Sequence, residues 1–130
     1  MKGIYDTLNF IANIDLEELL FIQELSSVKI ILSYQCIPES RIVFSLDDVL
    51  HVSISRDPEH KGFVFFLCEV SLAKLDTGRN IFSKLNHGYL NYKGETYTYS
   101  ELKNLFHFHA EGEIGIDIIC QTVTDLREFT

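Results

Sequence analysis

The sequence predicts an α+β fold in which most of the chain forms an antiparallel β-sheet or sandwich, with a helix near the N-terminus. Between residues 105 and 122, apolar and polar side chains alternate strictly, which is the period of a strand with one buried face. Shorter segments with the same period follow one another between residues 28 and 72, and polar turns separate them, as is typical of antiparallel sheets. The pattern leaves open whether the sheet is open or a closed sandwich.

The size of the chain favours a single domain over residues 1–130. A chain of 130 residues buries a sufficient core without disulfides or metal ions, and no repeat or linker composition divides it. The three cysteines are an odd number without metal-ligand spacing, and the first residues lack the organisation of a signal peptide. No apolar run is long enough to span a bilayer. These features favour a cytoplasmic protein with no membrane partner.

The net charge of −8 lies at the two ends of the chain. Residues 1–24 carry five acids and one lysine, and residues 101–130 carry six acids and two basic residues, so each end has a net charge of −4. The residues between them are neutral. This distribution argues against a nucleic-acid partner, which requires a basic surface. It is compatible with a basic protein partner, and equally with a surface that only keeps the protein soluble.

A helix is predicted over residues 15–23. Asp15, followed three residues later by Glu18, resembles a capping pair, and Leu16 and Leu19 recur at helical spacing. Residues 5–12 fit either a short helix or a strand.

Strands are predicted next along the chain. Alternation indicates strands over residues 28–34, 42–44 and 50–55, and it makes Asp47 and Asp48 part of a turn. Residues 63–67 are apolar on both faces, which predicts a strand in the middle of the sheet. A small hairpin is predicted over residues 89–99, and a short helix is predicted to run through Asn104.

The long alternating segment separates two sets of side chains. Gly112 predicts a bend, bulge or turn, because a straight strand of this length would be unusual. Cys68, from an earlier strand, is also predicted to face inward. The inward set of the segment includes Phe108, Ile114, Ile116, Ile118 and Cys120, and the outward set includes His107, His109, Glu111, Glu113 and Asp117.

His107 and His109 raise the question of a metal site. Two residues apart on one strand, their Cα atoms are roughly 7 Å apart, so the pair can share an ion. A third ligand must come from another strand, and His51 is the candidate. With Glu113, the pair superficially resembles the first motif of the cupins, but the flanking glycines and the second motif of that family are missing. We therefore predict no metal and no cofactor.

Other catalytic patterns are missing from the sequence as well. There is no nucleophile elbow and no phosphate-binding loop, and Cys36 has no histidine or basic residue beside it. The sequence therefore favours a non-enzymatic protein without excluding an enzyme. A group of tyrosines between residues 89 and 99 fits either a recognition surface or the cover of a sheet face.

Two segments carry a resemblance to known proteins. Residues 108–120 (FHAEGEIGIDIIC) and 42–50 (IVFSLDDVL) resemble segments of small bacterial proteins of unknown function, some of which look like immunity proteins encoded beside toxins. The resemblance covers about a fifth of the chain and includes no residue with an assigned role. It implies a non-enzymatic binding protein.

We therefore expect a cytoplasmic, non-catalytic binding protein whose acidic surface engages a basic protein such as a toxin. One alternative is a small-molecule or metal-binding β-domain, and conceivably an enzyme, that uses His107 and His109. Another is a subunit of a homo-oligomer. The residues predicted to bind the partner are His107, His109, Glu111, Glu113, Asp117, Tyr89, Tyr92, Tyr97 and Tyr99.

Overall fold

A computed structural model describes residues 3–77, 88–90, 96–98 and 103–127 of the chain. Most of these residues lie in antiparallel strands, and 3-10 turns occur at Gln23–Leu25 and Pro38–Ser40. The helix and strands are α1 (Ile4–Phe10), β1 (Ala12–Ile22), β2 (Ser27–Ser33), β3 (Ile42–Arg56), β4 (Phe65–Thr77), β5 (Gly88–Leu90), β6 (Thr96–Thr98), β7 (Lys103–Gly112) and β8 (Ile114–Asp125).

Within the described residues, six strands close into one antiparallel barrel. Their order is β1-β2-β3-β8-β7-β4, and β4 pairs back to β1. Closure leaves fewer unpaired strand edges than an open sheet of the same strands would have. The short strands β5 and β6 pair separately. The predicted antiparallel β fold is therefore confirmed. The short helix near the N-terminus is α1, which overlaps the segment 5–12 that fitted either a helix or a strand.

The core occupies the inside of the barrel. Helix α1 packs on β4 and places Leu8 in the core, while the side-chain amide of Asn9 exchanges two hydrogen bonds of 2.9 Å with the backbone of Leu72. Burial of a leucine side chain such as that of Leu8 stabilises the fold by about 1.5–3 kcal/mol. Each barrel strand contributes buried side chains, among them Leu16, Ile30, Phe44, Leu72, Phe108 and Ile118.

The long alternating segment forms the β7–β8 hairpin. Its predicted inward residues Phe108, Ile114, Ile116 and Ile118 are all buried in the core, which confirms that prediction. Gly112 ends β7 at the turn, where a Cβ atom would lie 2.2 Å from the carbonyl oxygen of Phe66. Only glycine fits this close approach without movement of the backbone.

The helix predicted over residues 15–23 is wrong, because these residues belong to β1. Ile14 and Leu16 face the core with the two-residue period of a strand. The pairing of β1 with β2 then shifts between Leu16 and Glu18, so that Leu19 returns to the core face after three residues. The bulge therefore separates two core-facing leucines by three residues, which is a spacing also found on one face of a helix. Asp15 accepts a hydrogen bond from the backbone of Gln35 and caps no helix.

The two strands predicted over residues 42–44 and 50–55 are one strand, β3. The predicted turn at Asp47 and Asp48 lies inside that strand, where Asp48 has a φ of 53°, and the register with β8 shifts just beyond it, between Val49 and His51. Asp47 accepts hydrogen bonds from the hydroxyls of Ser27, Ser45 and Thr124. Periodicity alone does not distinguish such a register shift from a turn.

The prediction for residues 63–67 is only partly correct. Strand β4 does lie between β1 and β7, but it begins at Phe65, and Phe63 is 81% exposed in the preceding loop. Cys68 is exposed rather than inward, because the register of β4 with β7 shifts at this residue. Asn104 lies in β7 and not in a helix.

None of the helices in residues 3–77 and 103–127 is long and apolar enough to cross a membrane.

Candidate functional site

The candidate site lies on the outside of the barrel, where β4, β7 and β8 run side by side. The β7–β8 register sets His109 opposite Asp117, and the β4–β7 register sets Glu69 opposite Glu111. His107 and Glu111 flank His109 along β7. All five side chains point to the same face, since they occupy alternate or directly paired positions. We call these five residues the acidic histidine face.

A chain of hydrogen bonds links four of these residues. The Oδ1 atom of Asp117 lies 2.7 Å from Nε2 of His107 and 2.7 Å from Nδ1 of His109. The other ring nitrogen of His109 lies 2.8 Å from Oε1 of Glu111. The two imidazole rings are 5.9 Å apart between centroids. Asp117 therefore fixes the position of both rings.

The neighbouring carboxylates favour the protonated form of His109. Partial burial disfavours the charged ring, but the hydrogen bonds to Asp117 and Glu111 outweigh it and raise the pKa of His109 above its ordinary value. An imidazole donates through both nitrogens only in its protonated form. The protonated ring then offsets part of the negative charge of the two carboxylates.

Exposure varies along this outer surface. Leu105 and Ile119 face outward and are nevertheless fully buried. Only part of the predicted solvent-facing side is therefore exposed to solvent. His107 is buried as well, with 9% of its surface exposed. His109 is partly exposed, and the side chain of Glu111 is 60% exposed. The acidic histidine face is therefore accessible mainly towards the Gly112 end of β7.

The charged side chains of this surface are mainly carboxylates. Glu69 faces Glu111 directly across the β4–β7 pair, and Asp117 lies on the next strand. Ser71, opposite His109, and Ser53, opposite Asp117, continue the face with small polar side chains. Among the residues at these paired positions in the described strands there is no lysine or arginine. Glu69 comes from the neutral middle of the sequence, so the charge distribution alone did not identify it.

Glu113 and the acids of β1 lie apart from this surface. Glu113 lies at the β7–β8 turn, where its carboxylate lies 3.0 Å from Nδ1 of His60 and accepts a hydrogen bond from the backbone N–H of Phe66. It holds the turn and does not join the acidic histidine face. The acids of β1 are separated from β7 by β4, and Glu17 of β1 pairs with Arg41.

The group that is compatible with a metal ion differs from the predicted one. His107, His109 and Asp117 each offer a ligand atom, and these atoms all lie within 4.8 Å of one another. His51, the predicted third ligand, lies on β3 opposite Ile119 and is not in this group. The third member was detectable in principle, because a hairpin centred on residue 113 places residues 109 and 117 opposite each other.

The predicted tyrosine surface is described only in part. Tyr89 lies opposite Tyr97 in the β5–β6 pair. Tyr92 and Tyr99 lie outside the described residues. A role of the tyrosines in recognition stays a prediction.

A second feature is the open mouth of the barrel where β3 ends and β4 begins. Ile54 pairs with the buried Ile116 and shares its inward face, yet it is 41% exposed. A cavity of about 430 Å³ opens there, lined mainly by apolar side chains of β1, β3 and the loop before β4. Arg56 borders the cavity, and its guanidinium lies over the rings of Phe63 and Phe65.

No protein-family model, no curated protein and no solved structure gives a match to this chain.

Proposed function

We propose that this protein is a non-catalytic binding protein that engages a basic protein through its acidic histidine face, as an immunity protein engages a toxin, and that it acts in the cytoplasm. The observation that carries the proposal is the pairing of Glu69 with Glu111 beside Asp117. Three carboxylates on adjacent strands lie on one surface, together with His107 and His109, and no lysine or arginine occupies the positions paired with them in the described strands.

The cost of this arrangement supports a binding role. Like charges directly opposite on an antiparallel pair destabilise the sheet by roughly 0.2–1 kcal/mol relative to a neutral pair. A lysine or arginine of a partner that approaches Glu69 and Glu111 would replace this repulsion with attraction. The Glu69–Glu111 pair therefore does not stabilise the fold. It would stabilise a complex with a cationic group of a partner.

The position of the face supports a non-catalytic role. Active sites lie in concave pockets that exclude water, where pKa values and charges are strongly perturbed. The acidic histidine face lies on the outside of the barrel, and Glu111 is largely exposed to solvent. Such a surface is suited to electrostatic steering of a large partner, which raises the association rate.

A pair of charge-neutralising variants tests the proposal. The double variant Glu69→Gln/Glu111→Gln removes two charges from the face, and Asp6→Asn/Glu24→Gln removes two exposed charges elsewhere, so the net charge is matched. Partners are captured from native cell extract at low salt, and the proteins encoded beside the gene are purified as candidates. Association and dissociation rates are then measured by surface plasmon resonance.

We expect a basic partner whose association rate falls by about threefold to tenfold in the face variant and by less than about twofold in the matched control. Raising the ionic strength from ~0.1 M to ~1 M shortens the screening length from ~10 Å to ~3 Å and should remove the difference. Equal rates for both variants at low salt would contradict the proposal. So would a partner that binds without any dependence on salt.

A further inference from the structure

The geometry points to a binding site for one divalent transition-metal ion, with His107, His109 and Asp117 as ligands and Zn²⁺ as the best-suited ion. The prediction from sequence that the chain holds no metal depended on the lack of a third ligand. Strand β8 supplies that ligand, because Asp117 lies directly opposite His109. This site does not depend on the proposed function, since an ion can bind whether or not a protein partner does.

The distances suit coordination. One ring nitrogen of His107, one of His109 and a carboxylate oxygen of Asp117 lie within 4.8 Å of one another. Ligands of a tetrahedral Zn²⁺ with bonds of ~2.0 Å are ~3.3 Å apart. Asp117 lies 2.7 Å from each ring nitrogen, so it must retreat by about half an ångström to admit the ion.

The ligand types select the class of ion. Two imidazole nitrogens and one carboxylate oxygen form a set that favours Zn²⁺, Fe²⁺ and Co²⁺ over Mg²⁺ and Ca²⁺, which prefer oxygen ligands. Three protein ligands also leave a coordination position for water or for an anionic group. The exposed carboxylates of Glu69 and Glu111 add negative potential near the ion.

Glu111 provides the second feature of a built site. Metal-bound histidines commonly donate their other ring N–H to a carboxylate, which fixes the ring and strengthens the ligand. His109 has this arrangement: Nδ1 faces Asp117, and Nε2 lies 2.8 Å from Oε1 of Glu111. His107 is held in place by its burial. The rings are therefore oriented before an ion arrives.

Titration of the full chain with Zn²⁺ tests the site. The protein is first treated with a chelator and dialysed, and binding is followed by calorimetry for the wild type, His107→Asn, Asp117→Asn and Glu111→Gln. The matched control is His60→Gln, because His60 also pairs with a carboxylate at 3.0 Å but lies in no group of three ligands. Co²⁺ absorption reports the coordination geometry, and circular dichroism reports folding.

We expect one Zn²⁺ per chain, at least ~10-fold weaker binding in the His107 and Asp117 variants, and ~10-fold weaker binding in Glu111→Gln. The His60→Gln variant should bind like the wild type, and Mg²⁺ should not compete. If a ligand variant fails to fold, the site is tested instead by the exposed Glu111→Gln variant and by the Co²⁺ spectrum of the wild type. No binding to the wild type, or equal losses in the His60 control, would overturn the site.

Discussion

Gly112 offers a sharp test of the packing that positions the acidic histidine face. An alanine Cβ at this position would lie 2.2 Å from the carbonyl oxygen of Phe66 and 2.7 Å from the Cα atom of Leu67. Both are backbone atoms of β4, so the clash is not relieved by rotation of a side chain. The hairpin and β4 must move apart instead.

The size of the effect follows from two contributions. Overpacking in a tightly packed region costs about 1–3 kcal/mol. Separation of the strands also weakens the hydrogen bonds between Glu113 and Phe66, of 2.8 Å and 2.7 Å, each of which contributes about 1 kcal/mol. We therefore expect Gly112→Ala to reduce the free energy of unfolding by about 3 kcal/mol, which corresponds to a Tm lower by about 10 °C.

Gly115→Ala is the matched control on the same hairpin. The nearest atom to an added Cβ there is the carbonyl oxygen of Ser55 at 3.7 Å, an ordinary contact. Replacing a strand glycine by alanine without a clash stabilises a protein by about 0.4–1 kcal/mol, because it restricts the unfolded chain. Both variants are compared by urea and thermal unfolding. A loss below about 1 kcal/mol in Gly112→Ala, or equal losses in both variants, would refute the close approach.

Three further predictions concern the core, an ion pair and the thiols. Ile116→Ala should cost about 2–5 kcal/mol in urea unfolding, because the side chain is fully buried, and a loss below about 0.5 kcal/mol would show that it does not face the core. The hydrogen bond from Arg41 lowers the pKa of Glu17 below its ordinary value of 4.5, so this pair stabilises the fold above pH 4.5 and the contribution disappears as the pH falls through the lowered pKa. The Tm difference between wild type and Glu17→Gln should therefore be present at neutral pH and should shrink as the pH is lowered below 4.5, and a constant difference would contradict it. Burial raises the pKa of the Cys120 thiol to about 12, so alkylation of the native protein should label the exposed Cys68 and spare Cys120, whereas labelling of both at one rate would show that Cys120 is open to solvent.

The sequence predicts best where the strand period is uninterrupted. The turn between Gly112 and Ile114 contains one residue, so inward positions keep the same parity on both sides of it. Phe108 and Ile118 consequently face the same core, as the alternation indicates. The capping signal that predicted a helix through Asn104 is the local signal that conflicts with this hairpin, at the start of β7.

The sequence predicts worst at bulges. One extra residue shifts the parity of a strand, and the shift at Leu16 turned a strand pattern into apparent helical spacing. The shift at Cys68 sent a residue expected inside to the surface. Bulges are set by cross-strand pairing, which brings together residues from distant parts of the chain.

Four of the five residues of the acidic histidine face could be predicted from the sequence. His107, His109, Glu111 and Asp117 follow from alternation along one hairpin. Glu69 joins them only through the β4–β7 register, which carries no local signal. The alternation also placed Glu113 on the same face, although its role depends on contacts with His60 and Phe66 from another loop.

Mapping the contact surface by NMR tests the central claim most directly. Backbone amide shifts of the labelled protein are recorded while the basic partner identified by capture is added. We expect the largest changes on the outside of β4, β7 and β8, at Glu69, Ser71, His109, Glu111 and Asp117. Changes confined to the mouth of the barrel, around Leu19, Ile54 and Phe63, with none on the acidic histidine face, would contradict it.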